Sequence, residues 1–106
     1  MTDESAKIAM ALISNGGNAR SLAMKAIRAA KSGDFKEASK DMEECNQFLV
    51  SAHKSQTELL TCEANGETVE LSILLIHAQD HIMNAIVVRD LAEEIMDIYK
   101  NMEEKR

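Results

Sequence analysis

The sequence contains no proline and no tryptophan, and it has only four glycines and 3% aromatic residues among its 106 positions. Strands draw on aromatic and β-branched runs bounded by turn residues, so this scarcity excludes an all-β or α/β fold. Basic runs are also missing. Twelve Lys and Arg stand against eighteen Asp and Glu, giving a formal charge of −6. Such a chain is a poor ligand for a phosphate backbone, and nucleic acid is not expected as a partner. No uncharged stretch reaches the roughly 20 residues a membrane span requires, and no signal peptide precedes the first helix. The longest apolar segment, Leu71 to Val88, is interrupted by His77, Gln79, Asp80, His81 and Asn84. A cytoplasmic protein with no membrane insertion is expected.

What remains is rich in Ala, Leu, Ile, Met, Lys and Glu, all good helix formers. Residues 1–106 suit a single domain, an all-α, antiparallel three-helix bundle with helices at about 3–32, 34–63 and 68–104. Ile8, Leu12, Ala19, Ala23, Ala26, Ile27 and Ala30 recur at three- and four-residue steps and form the inward stripe of the first helix. Asn15-Gly16-Gly17-Asn18 interrupts that stripe. Adjacent glycines either kink a helix or admit another backbone at close range, and both readings stand.

Gly33 has the character of a residue just past a helix end. Asp34, with Glu37 three positions later, is the N-cap of the next helix. That second helix turns Ala38, Met42, Cys45, Leu49, Ala52, Leu59 and Leu60 inward, and Ala64-Asn65-Gly66-Glu67 makes the second turn. Cys45 and Cys62 share the helix roughly 25 Å apart, beyond disulfide reach, and are expected as buried, reduced thiols. His53 is expected to be packed or hydrogen-bonded.

The third helix is different. From Leu71 to Val88 it is apolar all round, apart from a polar stripe carrying His77, Asp80, His81 and Asn84 at i, i+3, i+4 and i+7. A helical wheel puts Ile73, Val88, Leu91 and Ile95 on the same side and Leu75, Ile82 and Ile86 opposite, with Ile76, Met83 and Val87 on a flank. One helix cannot bury its whole circumference against two partners, which predicts that it also packs against copies of itself. A dimer, a trimer or a tetramer satisfies that argument equally.

Three chemistries fit the stripe. The histidines and the carboxylate can simply satisfy one another inside a non-enzymatic helical assembly or adaptor module. His77 and His81 at i, i+4 can hold a metal with Asp80 as third ligand, although Ala78 stands where a metalloprotease motif needs Glu. Alternatively, an imidazole nitrogen can take up a phosphoryl group, with Gln79, His81 and Asn84 as nearby donors for its oxygens. The chain has no Gly-rich phosphate loop, so the phosphate would come from another phosphoprotein.

Certain segments carry a resemblance. They are Ile13-Ser-Asn-Gly-Gly-Asn-Ala-Arg-Ser-Leu-Ala23, Gly33-Asp34-Phe35, Ala52-His53 with Gln56-Thr57, and above all Ile76-His77-Ala78-Gln79-Asp80-His81-Ile82-Met83. Through them nearly the whole chain resembles the lactose/cellobiose-type IIA component of the bacterial phosphoenolpyruvate-dependent sugar phosphotransferase system. Ile82 stands where Leu is common, a conservative change.

The resemblance implies a homotrimer with the third helices around its axis. It implies that His77 accepts a phosphoryl group from phospho-HPr and passes it to a cysteine of the IIB component during disaccharide uptake. Beside it, Gln79 and His81 can act as phosphate neighbours, and His81 can equally hold the His77 tautomer. It also implies that Asp80 is a metal ligand on the three-fold axis, where three carboxylates share a Mg²⁺-like cation. Apolar surface near His77 and Met83 suits docking of HPr and IIB.

Overall fold

The computed structural model describes residues 3–106 and contains three long helices, α1 (Asp3–Lys31), α2 (Phe35–Ala64) and α3 (Ile73–Glu104). They lie side by side in a rod measuring 58 × 20 × 18 Å. The helix α1 is the central member. It packs along both neighbours, while α2 and α3 touch each other much less. The reason is the side of α1 turned inward, where Ala9, Leu12, Ala19, Ala23, Ala26 and Ala30 are all buried. Small residues at helical spacing let both partner helices approach the same rod closely.

Both turns follow from local chemistry. Gly33 adopts φ +85, its N–H donates to the Ala30 carbonyl, and the Asp34 N–H donates to Ala29. This double closure of a helix end requires a left-handed residue, which glycine supplies without strain. Asp34 then caps α2, its Oδ1 accepting from the Glu37 N–H at 3.1 Å. The second turn repeats the device. Gly66 has φ +83 and donates to Glu63, and Glu67 donates to Cys62.

The start of α3 differs from the expected position near residue 68. Residues 67–72 run as an irregular connection, and Ser72 is the cap, its hydroxyl accepting from the Leu75 N–H at 3.1 Å. Val69 packs against the core cluster of Leu12, Leu59 and Leu75, which holds the connection out of helical geometry. Long-range burial here overrides local propensity.

Several expected positions need correction. Leu60 points outward and is 66% exposed. Cys62 is half-buried, whereas Cys45 is fully buried, and neither is in a disulfide. His53 is exposed, its backbone carbonyl accepting a hydrogen bond from the Thr57 hydroxyl at 2.9 Å. The helix α1 continues without a break through Asn15-Gly16-Gly17-Asn18.

Candidate functional site

Leu75, Ala78, Ile82, Ala85 and Ala92 are the buried residues of α3 and fix its rotation about its axis. Ile82 enters one core cluster with Leu12 and Ala52, and Ala85 and Ala92 enter another with Ala19, Ala23 and Cys45. Away from that face, Ile73, Ile76, Met83, Val87, Leu91, Ile98 and Met102 are all exposed. This uncovered stripe is centred near Asp80 and Ile98, with Ile73 and Leu91 outward as the helical wheel places them and with Ile76, Met83 and Val87, which the wheel places on a flank, exposed as well. His81, Val88 and Ile95 are half-buried instead of lying fully on the outward side. The wheel takes its origin from the polar residues, but the outward face is set by which apolar residues α1 leaves uncovered.

His77 sits at the edge of the stripe and is exposed. Its Nε2 lies 3.0 Å from Nε2 of His81, and the rings meet edge to face, 4.5 Å between centroids at 88°. One nitrogen donates and the other accepts, so when both rings are neutral one carries its proton on Nε2 and the other on Nδ1. Spacing of one helical turn brings the two side chains together.

Asp80 is exposed beside His77, and among the described residues its carboxylate pairs with no cation of its own chain. Ile73, Ile76, His77, Gln79, Asp80 and Met83 line an open depression of about 490 Å³. Asn84 is exposed one turn beyond Asp80.

Gln79 borders the depression, but its side chain is engaged elsewhere. The Gln56 amide of α2 donates to Gln79 Oε1 at 2.7 Å. Residues two apart on a helix do not face each other, so within one subunit the site pairs His77 with His81 and turns Gln79 towards α2. Gln56 is the member of the site that sequence reasoning did not single out, and its only signal was its place beside Thr57 in a familiar segment.

The glycine pair bears on the same site. A Cβ on Gly16 would lie 3.2 Å from both the carbonyl carbon and oxygen of His81 and 3.1 Å from Cδ1 of Ile82, whereas a Cβ on Gly17 would meet nothing within 4 Å. At Gly16, therefore, α3 approaches α1 closely, at the level of His81 and Ile82. Of the two readings left open by the sequence, close approach holds for Gly16, and no break in the helix occurs.

Among the described residues no three His, Cys, Asp or Glu side chains gather to hold a metal ion. No helix there is long and apolar enough to cross a membrane.

An exposed imidazole, a paired imidazole and an adjoining carboxylate thus share one helix of an all-α rod, an arrangement open to phosphotransfer, and comparison with known proteins shows the family. The lactose/cellobiose-specific IIA subunit family of the phosphotransferase system matches residues 7–100. The chain is 48% identical over 106 residues to the lichenan-specific phosphotransferase enzyme IIA component of Bacillus subtilis, covering 100% of this chain and 96% of that relative. The solved cellobiose-specific enzyme IIA from Bacillus anthracis superposes with a TM-score of 0.96 at 49% identity, over 100% of this chain and 97% of that one. A chain in the complex of IIA(chitobiose) with HPr, from the Escherichia coli phosphotransferase system, gives a TM-score of 0.82 at 35% identity, over 96% and 99%. This chain belongs to the lactose/cellobiose-specific IIA family and is a phosphotransferase-system relay component.

Proposed function

We propose that His77 is the phosphoryl-accepting residue, loaded by phospho-HPr and discharged to a cysteine of a IIB component, within a cytoplasmic homotrimer. The observation that carries this reading is the exposed His77 ring, open to a second protein yet held by His81 at 3.0 Å.

A neutral ring nitrogen of His77 attacks phosphorus with its lone pair. The bond between phosphorus and the donor's leaving atom breaks, and its electron pair stays with the donor. Where His81 is the donor of the pair, its N–H moves from the attacked nitrogen to a phosphoryl oxygen as the P–N bond forms. In the second transfer the IIB thiolate attacks phosphorus, and the P–N electron pair returns to His77.

HPr is supported as the source by the family relative solved in complex with HPr. Exposed Ile73, Ile76 and Met83 around the imidazole provide an apolar rim for a docked partner.

Self-association is supported by the outward stripe of α3, and the number three is what the family resemblance implies. Seven large apolar side chains in one line exceed what a monomer of this size normally leaves to water. Ile76, Val87 and Ile98 recur every eleven residues, as do Asp80, Leu91 and Met102. An eleven-residue period keeps a seam nearly straight or slightly right-handed, so copies of α3 can meet along its length.

In such an assembly Asp80 carboxylates would approach one another and repel. Their oxygen donors suit a hard divalent cation such as Mg²⁺, and Asp80 would hold it. The bound ion supplies charge neutralisation within the seam.

Incubation with phosphoenolpyruvate, Enzyme I and HPr, followed by mapping of the acid-labile phosphate, tests the assignment. Label on His77 is expected, and label on His53 or His81 instead would overturn it.

A further inference from the structure

We propose that Gly16 is a positioning residue for the phosphotransfer site. By lacking a side chain it lets α3 settle against α1 at His81, and so sets the His81 ring against His77. The inference deepens the His77 relay reading and rests on it for its functional consequence, but its geometric part stands apart.

Gly16 is buried, and the atoms its missing Cβ would press are the carbonyl carbon and oxygen of His81, both at 3.2 Å, with Ile82 Cδ1 at 3.1 Å. Two of these three are backbone atoms, which cannot swing aside as the end of a flexible side chain does. The helix cannot simply lift, because Ala78, Ile82 and Ala85 are seated in the core on either side of the contact. Added volume is therefore taken up at the His81–Ile82 peptide. That peptide is the base from which the His81 ring reaches His77 Nε2 at 3.0 Å. A hydrogen bond of this length weakens steeply with misalignment, and misplacement of a reacting group by about 1 Å can cost on the order of 100-fold in rate.

The neighbouring glycine provides the control. Among the described residues, a methyl added at Gly17 would meet no atom within 4 Å beyond its own helix backbone and would stand in open space. The two residues share composition and helix, and differ in whether His81 lies beneath them.

The experiment compares Gly16→Val, Gly16→Ala and Gly17→Ala in the full chain. Long-range ¹H–¹⁵N correlation spectra read the tautomers and hydrogen bonding of His77 and His81. Initial rates of phosphate acceptance are measured against phospho-HPr concentration, alongside helix content and assembly size. Gly16→Val is expected to keep its helix content and assembly and to shift the Nε2 signals of both histidines. Its maximal acceptance rate is expected to fall about tenfold or more, with little change in the HPr concentration for half-maximal rate.

Gly16→Ala should recover most of the rate, since its methyl needs only a few tenths of an ångström. Gly17→Ala should match the parent. Should Gly16→Val not fold, Gly16→Ser carries the same test. Parental imidazole signals in a folded Gly16→Val or Gly16→Ser protein overturn the inference, as does an equal disturbance from Gly17→Ala. If the parent chain takes no phosphate on His77, the relay reading fails, while the imidazole signals still decide whether Gly16 sets the pair.

Discussion

His81 Nε2 stands 3.0 Å from His77 Nε2, with the two rings crossing at 88°. On the proposed relay, it is their exposure that gives the two histidines of this contact unequal roles. His77 is exposed and able to meet a donor, while His81 is half-buried over the helix contact beneath it. His77→Gln should reduce phosphate acceptance from phospho-HPr to background and leave the assembly's size unchanged on a sizing column. His81→Ala should slow acceptance by about tenfold to a hundredfold, the effect of losing one hydrogen bond to a developing charge, without abolishing it. Complete loss in His81→Ala, with label retained in His77→Gln, would exchange the two assignments.

The local features of the chain are readable without a structure. Gly33 and Asp34 act on carbonyls and amides within five residues of themselves, so composition and order are enough to place the turn and its cap. The start of α3 is not, because the decision between Thr68 and Ser72 depends on Val69 burying itself against Leu12, Leu59 and Leu75, contacts that lie far away in sequence. The histidine pair is legible because its spacing is intrinsic to a helix. Gly16 cannot be separated from Gly17 by sequence, since only the helix packed above distinguishes them. A helical wheel places Ile73, Asp80, Asn84 and Leu91 outward correctly but sets the face too far towards His81, Val88 and Ile95, for the same reason. Nearly every side of that helix is apolar, and which side stays uncovered is settled by the position of α1.

Asp80 is an exposed carboxylate among the exposed Ile73, Ile76, Met83 and Leu91, a placement that weakens any self-association unless a cation offsets the charge. Asp80→Leu should therefore give an assembly whose thermal midpoint equals or exceeds that of the parent. A chelator should lower the parent's midpoint and leave that of Asp80→Leu unchanged, as read by circular dichroism. Recovery of Asp80→Leu as a monomer in analytical ultracentrifugation would show instead that the ion itself holds the subunits together.

The two thiols sit in different environments, and reagents should tell them apart. Burial pushes the Cys45 thiol above its usual value of 9.0, with Glu93 adding to the rise and Arg89 opposing it. Cys62 is also raised, first by its hydrogen bond with Glu67, but it is only half-buried. A thiol-disulfide reagent at pH 8 should modify Cys62 readily and reach Cys45 only when the protein unfolds. The sign of the linkage is fixed by the same shift. The folded state keeps the Cys45 proton where the unfolded chain releases it, so stability is unaffected below pH 9.0 and declines as the pH rises above it. Denaturant titrations at pH 8 and pH 10 in the absence of oxidant, with Cys45→Ala as reference, should show the parent losing more stability than the variant.

Asp41 poses the sharpest energetic question in the core. It is 1% exposed on α2, its Oδ1 lies 3.5 Å from Lys25 Nζ, and among the described residues its buried Oδ2 has no hydrogen-bond partner. Lys25 is more than half exposed and also reaches Glu37 at 3.7 Å, so water damps its attraction for the buried carboxylate. A buried polar atom left unsatisfied costs about 1–3 kcal/mol, more than a screened pair of this kind returns. Leucine has the same branched outline as aspartate, with methyls in place of the two oxygens. Asp41→Leu should therefore be neutral or raise stability by about 1 kcal/mol, visible as a higher thermal midpoint. Asp41→Asn, which keeps a polar group at the orphaned position and gives up the attraction to Lys25, should not. A marked loss of stability in Asp41→Leu would show that the carboxylate is satisfied in solution by a partner such as a buried water bridging Oδ2 to the backbone.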